Sequence, residues 1–430
     1  MSWHKYYEAH LTTADEAVKN IKSGNRVVLG HACGEPGALV EAMVNNAENY
    51  QDVEIVHMFS LAACAYCRPE MKGHFRHNAL FVCGPTREAV NAARGDYTPS
   101  FFFQVPELFR TTMPVDVAMV TLTPPNEEGM MSLGTSADYD YAAIKEAKIV
   151  IAQINRQMPF TYGNLIPVED VDFFVEHDAP IPELPAAKIG EIERAIGEHC
   201  ASLIQDGDTL QLGIGAIPDA VLMFLKDKKD LGLHSEMLSD GVVDLANAGI
   251  INNTRKTLNP GKFVANFMMG SKRLYDFADH NEDVLIMPVD YVNHPMIIGQ
   301  HDRLVSINSC VQVDLMGQVG SEMIGTTQIS GIGGQVDFVR GAALSKGGIS
   351  IIAMPSTVKG KVSKIVPQLD FGAAVTTSRS DVDYIVTEYG IAHLKGQTLR
   401  ERAKRLIAIA HPAFREDLMQ EYRKRFGAED

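Results

Sequence analysis

The chain has 430 residues, 46% of them hydrophobic and 22% charged, which is enough apolar material for two cores rather than one. A formal net charge of −15 argues against a polyanion as the main partner, so nucleic acid is not expected, although one phosphorylated small ligand could still use a local basic pocket. No uninterrupted apolar window reaches the roughly eighteen residues of a membrane span, and the opening MSWHKYYEAHLTTADEAV lacks the order of a secretory signal; no membrane association and a cytoplasmic location are expected. The six cysteines, Cys33, Cys64, Cys67, Cys83, Cys200 and Cys310, are scattered and fit a reducing compartment better than a disulfide framework.

From the N-terminus, residues 17–30 (AVKNIKSGNRVVLG) read as an amphipathic helix ending at Ser23-Gly24, a turn, and an apolar strand that stops at Gly30. Glu35-Pro36 then opens a second helical pattern, ALVEAMV. Apolar runs at 53–58 and 115–122 read as strands, and 147–155 (AKIVIAQIN) as a buried strand entering a polar turn. Between 173 and 191 the text FFVEHDAPIPELPAAKIGE carries three prolines in a polar, aperiodic stretch, the composition of a linker. A helix is expected over 192–204. Residues 200–213 (CASLIQDGDTLQLG) then repeat the grammar of 17–30 at a constant offset of 183, Ile217-Pro218 answers Glu35-Pro36, and DAVLMFL answers ALVEAMV. Further strands are expected at 284–287, 304–307 and 349–353, and 382–390 (VDYIVTEYG) echoes 147–155. Two echoes argue for duplication, and alternating strands and helices for parallel sheets covered on both faces. The expected fold is α/β: two related open α/β domains, 1–180 and 191–430, joined by a linker at 181–190.

Chemistry is most readily placed at glycine turns and carboxylates on strand ends. Leu212 runs into Gly213-Ile214-Gly215, a turn that lets main-chain N–H groups approach a ligand, and Glu236 follows about twenty residues later; the pair points to acyl chemistry. The turn is not a dinucleotide fingerprint, because Pro218 stands where G-x-G-x-x-G needs its third glycine. Residues 330–338 (SGIGGQVDF) read either as a nest of main-chain donors or as a tight turn. Met354-Pro355-Ser356-Thr357 leads into Lys359, Lys361 and Lys364, a basic cluster that phosphates could use. Glu388, in TEYG, ends a strand as suggestively as Glu236 does, and position alone does not separate the two; Glu127-Glu128 reads as a solvated turn. His31 and Cys33 follow the first-half strand where the second half keeps its glycine turn, and either pack or line a cleft. Cys64-Ala65-Tyr66-Cys67 has C-x-x-C spacing without the second pair a structural zinc needs, and His74 and His77 lack the H-E-x-x-H pattern. A G-x-S-x-G elbow is also missing.

Several longer runs occur in order: QLGIGAIPDAV from Gln211, HSEMLSDGVVDL from His234, GSKRLYDFADHN from Gly270, SGIGGQVDFVRGA from Ser330 and AAVTTSRSDVDYIVTEYGIAHLKG from Ala373. With TADEAVKNIKSG, EPGALVEAMV and VPELFR of the first half, they resemble the acetyl-CoA hydrolase/transferase family of class I CoA-transferases over nearly the whole length. The resemblance implies a CoA-transferase with its active site in a cleft between the two domains. It implies that Glu236 becomes a glutamyl-CoA thioester, with Glu388 as second choice because TEYG is similar to the E-N-G of more distant CoA-transferases. It places coenzyme A on Gln211, Leu212, Gly213, Ile214, Gly215, Gly334 and Lys361. Coenzyme A is then substrate and covalent intermediate, no metal is expected, the partners are acyl-CoA and short-chain carboxylates, and the chain forms a homodimer. The acid stays open among acetate, butyrate and 4-hydroxybutyrate. A hydrolase on the same scaffold and a noncatalytic CoA sensor remain alternatives, and Pro218 disfavours an oxidoreductase.

Overall fold

Short runs rich in Val, Ile, Leu and Met that are buried on both faces form the middle of the first sheet, as parallel strands covered by helices do. A computed structural model describes residues 2–427. In it β1 (Arg26–Leu29), β2 (Val53–His57), β3 (Phe75–Ala79), β4 (Gly95–Tyr97), β5 (Val117–Leu122), β6 (Ile149–Ile154) and β7 (Phe173–Glu176) pair in the order β4-β3-β2-β1-β5-β6-β7. Every pairing is parallel. Helix α1 (Gly37–Asn45) turns Leu39, Val40, Ala42 and Met43 into a core with Val27, Leu29, Ile55, Val117 and Met119. Strand order reverses at β1, which has β2 on one side and β5 on the other, and at such a switch point the loops diverge beyond the carboxyl ends of the strands.

The second sheet repeats the plan. β8 (Thr209–Leu212), β9 (Gly232–Leu233), β10 (Leu304–Asn308), β11 (Ile349–Ala353), β12 (Tyr384–Thr387) and β13 (Gly390–His393) follow the order β9-β8-β10-β11-β12-β13, parallel except for the β12–β13 hairpin. Helices α2 (Glu191–Leu203), α3 (Ala216–Met223) and α4 (Gln335–Leu344) belong to this half, and Val339, Ile352, Met354, Ile385 and Leu406 lie in its core. An offset of 183 carries Arg26 to Thr209 and Leu29 to Leu212, so β1 and β8 coincide residue for residue and both sit at the reversal of their sheets.

Two expectations are corrected. The strands at 147–155 and 382–390 are not equivalent: β6 is third from the reversal (β1, β5, β6), whereas β12 is fourth (β8, β10, β11, β12), so β11 holds the place of β6. The echo arises because a buried parallel strand running into a polar turn reads alike wherever it lies. The helix expected to run to Ser23-Gly24 spans only Ala14–Val18. Beyond it the Asn20 and Ile21 N–H groups donate to Ala17 and Val18, three residues back, and the Asn20 side chain also donates to Ala17 O. This tighter winding brings Ile21 into the core beside Ala17 and Val18.

The chain divides into two units. One takes the residues up to Pro185 together with Val264–Val292 and Gln328–Gly333; the other takes Ala186–Phe263, Asn293–Thr327 and the residues from Gly334 onward. The segment Val264–Val292 is built into the first unit. Phe267 stacks edge-on to His31 at 4.7 Å, Tyr275 OH donates to Pro182 O at 2.7 Å, and Asn164 Nδ2 donates to Ile286 O at 3.0 Å. Among the described residues no helix is long and apolar enough to cross a membrane.

Candidate active site

Polar residues inside β8 and β10 form the floor of the candidate site in the second unit. Their register sets Gln211 opposite Ser306. Ser306 Oγ donates to Gln211 Oε1 at 2.7 Å, Asn308 Nδ2 donates to the same oxygen at 3.1 Å, and Gln211 Nε2 reaches Asn308 Oδ1 at 3.3 Å. The buried Gln211 amide is thereby committed to the sheet. After Leu212 the chain opens into Gly213-Ile214-Gly215. Gly215 has φ 111°, a conformation L side chains rarely adopt, and a Cβ on Gly213 or Gly215 would meet nothing within 4 Å. The turn therefore borders open space, with Ile214 43% exposed, and leads directly into the first turn of α3, whose leading N–H groups have no intrahelical partners.

Beyond β9 a side chain continues the ladder that the strand has left. Ser235 Oγ accepts the Leu212 N–H at 3.2 Å and donates to Leu212 O at 3.0 Å, pinning the segment to the end of β8. Glu236 follows, and it is the single residue from Leu231 to Ser239 that is not fully buried. Its Oε2 accepts Asn293 Nδ2 at 2.8 Å, and the same amide nitrogen lies 3.3 Å from Asp337 Oδ2. Gly334 is the N-cap of the ten-residue α4, and a Cβ there would fall on Glu236 Oε2. Glycine is thus required beneath the carboxylate, which rests at a helix end whose dipole favours negative charge.

The strand leading to Glu236 is gripped from below. Lys256 Nζ donates to Leu233 O at 2.7 Å and to Lys262 O at 2.6 Å, its stem filling the space that a Cβ on Gly232 would need. Burial brings its ammonium down to about 7. The fully buried His234 ring lies 4.5 Å from that of His301, whose pKa is lowered to about 3 by burial and by the Lys256 charge.

The other candidates have different surroundings. Glu388 is clamped by one residue: Ser356 N donates to Oε2 at 2.8 Å and Ser356 Oγ to Oε1 at 2.6 Å, tying the end of β12 to the end of β11. Lys359 and Gly360, with φ of 51° and 71°, turn the hairpin Thr357–Val358/Val362–Ser363, and Lys361 sits on its exposed tip. Lys364 Nζ donates to Cys310 O at 2.9 Å. In the first unit His31 is buried among Phe102, Tyr139 and Phe267, with Nδ1 2.7 Å from Asp138 Oδ2, and Cys33 Sγ lies 3.3 Å from Tyr275 OH. The Nδ1 atoms of His74 and His77 each lie 2.9 Å from a main-chain carbonyl, those of Tyr50 and Ile55. Glu127 and Glu128 are exposed in a turn organised by Asn126. Among the described residues no group of three His, Cys, Asp or Glu side chains is gathered to hold a metal ion.

Sequence reasoning missed Asn293, Asp337 and Ser235. Asp337 and Ser235 stood inside motifs already singled out, next to the residues that drew attention. Asn293 gave no signal: it lies in a polar link between the short helices Val289–Val292 and Pro295–Ile298 and reaches Glu236 only through the fold.

A half-buried carboxylate on a helix N-terminus, beside a sheet whose strand at the reversal of order ends in an open glycine turn, is equipped for attack on an acyl carbon. The model of the acetyl-CoA hydrolase/transferase N-terminal domain matches residues 1–185, and that of the C-terminal domain matches 270–422. The chain is 60% identical to the 4-hydroxybutyrate coenzyme A transferase of Clostridium kluyveri, over 99% of this chain and 100% of that protein. It is 44% identical to the succinyl-CoA:cyclohexane-1-carboxylate CoA transferase of Geobacter metallireducens, over 98% and 97% of the two chains. Among solved structures, RipA from Yersinia pestis superposes with a TM-score of 0.95 at 38% identity, covering 100% of both chains. The 4-hydroxybutyrate CoA-transferase from Porphyromonas gingivalis superposes with a TM-score of 0.86 at 46% identity, covering 99% of this chain and 100% of that one. The chain belongs to the acetyl-CoA hydrolase/transferase family.

Proposed function

We propose that this protein is a CoA-transferase that moves coenzyme A from acetyl-CoA, or another acyl-CoA, to 4-hydroxybutyrate or a similar short-chain carboxylate. The seat of Glu236 carries the reading: a carboxylate held by Asn293 over Gly334, at the end of the segment pinned to β8. The relative acting on 4-hydroxybutyrate, with its 60% identity, supports the choice of acid. Butyryl-CoA with acetate is the alternative pair.

Glu236 attacks the thioester carbonyl of the acyl-CoA, the C–S bond breaks, and an acyl-glutamyl anhydride and CoA thiolate result. The thiolate attacks the glutamyl carbonyl, releasing the first acid and leaving CoA on Glu236 as a thioester. An incoming carboxylate reverses the two steps and departs as the new acyl-CoA. Each step passes through a tetrahedral oxyanion, and a positioned N–H donor to such an oxygen is worth about 3 kcal/mol. The main chain of Gly213, Ile214 and Gly215 supplies such donors, with Gln211 and Leu212 leading the backbone up to them. Gly334 brings the α4 terminus against the thioester, and Lys361 meets a phosphate of the coenzyme. Binding of the long CoA moiety orients the reacting end. On this reading the two CoA-transferase domains are centred on 1–180 and 191–430 with 181–190 between them, Val264–Val292 and Gln328–Gly333 folding with the first, the protein works in the cytoplasm as a homodimer, and no metal takes part.

The test is mass spectrometry of the protein mixed with acetyl-CoA alone. A CoA-sized adduct on the Glu236 peptide, discharged by 4-hydroxybutyrate and absent in Glu236→Gln, is expected, together with a fall in exchange of about a thousandfold or more in that variant. An adduct on the Glu388 peptide would overturn the site. Net loss of thioester without acid-dependent exchange would instead make the protein a hydrolase.

A further inference from the structure

The amide that holds Glu236 also faces a second carboxylate. Asn293 Nδ2 donates to Glu236 Oε2 at 2.8 Å and to Asp337 Oδ2 at 3.3 Å, and an amide nitrogen carries a hydrogen for each. Asn293 is fully buried and Asp337 is 1% exposed. Asp337 is the third residue of α4, where the helix dipole favours a carboxylate. The start of that helix is fastened by Gln335, whose Oε1 accepts Ser321 Oγ at 2.7 Å and whose Nε2 donates to Ser309 O at 2.6 Å. The buried side chains of Val336 and Phe338 flank Asp337 and fix the same turn. Asn293, by contrast, lies between two four-residue helices, so its side chain takes its direction from its partners.

A carboxamide has two ends of similar shape and opposite chemistry: the nitrogen donates and the oxygen accepts. Turned by half a rotation, Asn293 would set Oδ1 against Glu236 Oε2, acceptor against acceptor, and would push the carboxylate from its seat over Gly334. An ionised carboxylate only accepts, so two of them on one side admit only the nitrogen. In the resting protein Glu236 itself helps to select that end. Once it carries CoA as a thioester, Glu236 has lost its charge, and Asp337 is the acid that still faces the nitrogen.

We propose that Asp337 is a positioning residue for the discharge half of acyl transfer, keeping the Asn293 nitrogen turned towards Glu236 while that residue is esterified; the proposal rests on Glu236 being the nucleophile. Asp337 touches neither acyl group nor coenzyme on this account and acts through Asn293 alone. An asparagine at 337 could answer either end of the Asn293 amide by rotating its own, so it would keep the packing and lose the selection. The CoA-loaded form would then spend much of its time with the amide reversed. Formation of the thioester, which starts from charged Glu236, would be little affected, and its attack by the incoming carboxylate would be slowed.

The test loads the intact protein, Asp337→Asn and Asp337→Glu with acetyl-CoA, removes small molecules, and chases with 4-hydroxybutyrate or with acetate while mass spectrometry follows the Glu236 adduct. In Asp337→Asn the adduct is expected to form at nearly the parent rate and to discharge about tenfold or more slowly, the worth of one hydrogen bond to a charged group. Asp337→Glu, which keeps the charge, is expected to discharge faster than Asp337→Asn, and thermal unfolding of both variants to stay close to that of the parent. Discharge of Asp337→Asn at the parent rate, or equal slowing of both half-reactions, would overturn the assignment. Loss of folding in both variants would also overturn it, making Asp337 a structural residue. An adduct on Glu236 of the parent with unaltered discharge in Asp337→Asn strikes this inference alone, whereas a parent that forms no such adduct strikes the nucleophile and its positioning residue together.

Discussion

A methyl group at Gly334 would occupy the space of Glu236 Oε2, although the local φ of −95° and ψ of 7° suit alanine well. Gly334→Ala is therefore expected to leave the melting temperature nearly unchanged and to slow formation of the Glu236 adduct by about a hundredfold, the scale of a small misplacement of a reacting group. Glu388→Gln should behave oppositely. It weakens the double clamp on Ser356 and lowers stability by about 1–2 kcal/mol in denaturant titrations, while adduct formation persists. Glu35 offers a pH-dependent case. Its pKa is raised from 4.5 to about 7, so its stabilising contribution is complete below pH 4.5 and is lost as pH rises through 7. That loss is at most about 3 kcal/mol, and urea unfolding of Glu35→Gln should show less decline between pH 5 and pH 8 than the parent chain.

At the scale of elements, the end of β8 is held by a side chain rather than by a strand. Ser235→Ala would leave the Leu212 N–H and C=O without the partner that now serves both, and should cost about 1–3 kcal/mol in unfolding titrations. CoA exchange should fall with it, since Glu236 is the next residue. How legible this was in the chain depended on the range of the interaction. The 17–30 and 200–213 pair located β1 and β8 to the residue, because strand patterning and turn glycines are local. The pairing of 147–155 with 382–390 went wrong by one strand, because pattern carries the burial of a strand and not its place in the sheet. Glu236 and Gly334 both stood in motifs visible in the text, whereas the Asn293 bond that joins their neighbourhood spans 57 residues and left no local mark. The early end of the helix Ala14–Val18 goes with Asn20 competing for a helix carbonyl, a side-chain effect that hydrophobic periodicity does not register.

At the scale of the whole molecule, the first unit is discontinuous in sequence. A chain ending at residue 190 would keep all seven strands of the first sheet but lose Phe267 from the His31 ring, Tyr275 from Pro182 and Cys33, and Ile286 from Asn164. Such a fragment is expected to bind a hydrophobic dye and to unfold without a cooperative transition, and calorimetry beside the full chain checks this.

The same interleaving sets a timetable for birth on the ribosome. The first unit ends its contiguous run at Pro185 but is not complete until Gln328–Gly333 has been made. At about 5–20 residues per second, that interval lasts on the order of ten seconds or more. During it a nascent chain presents a nearly finished sheet with part of its covering still unmade, which is when a chaperone has most to protect.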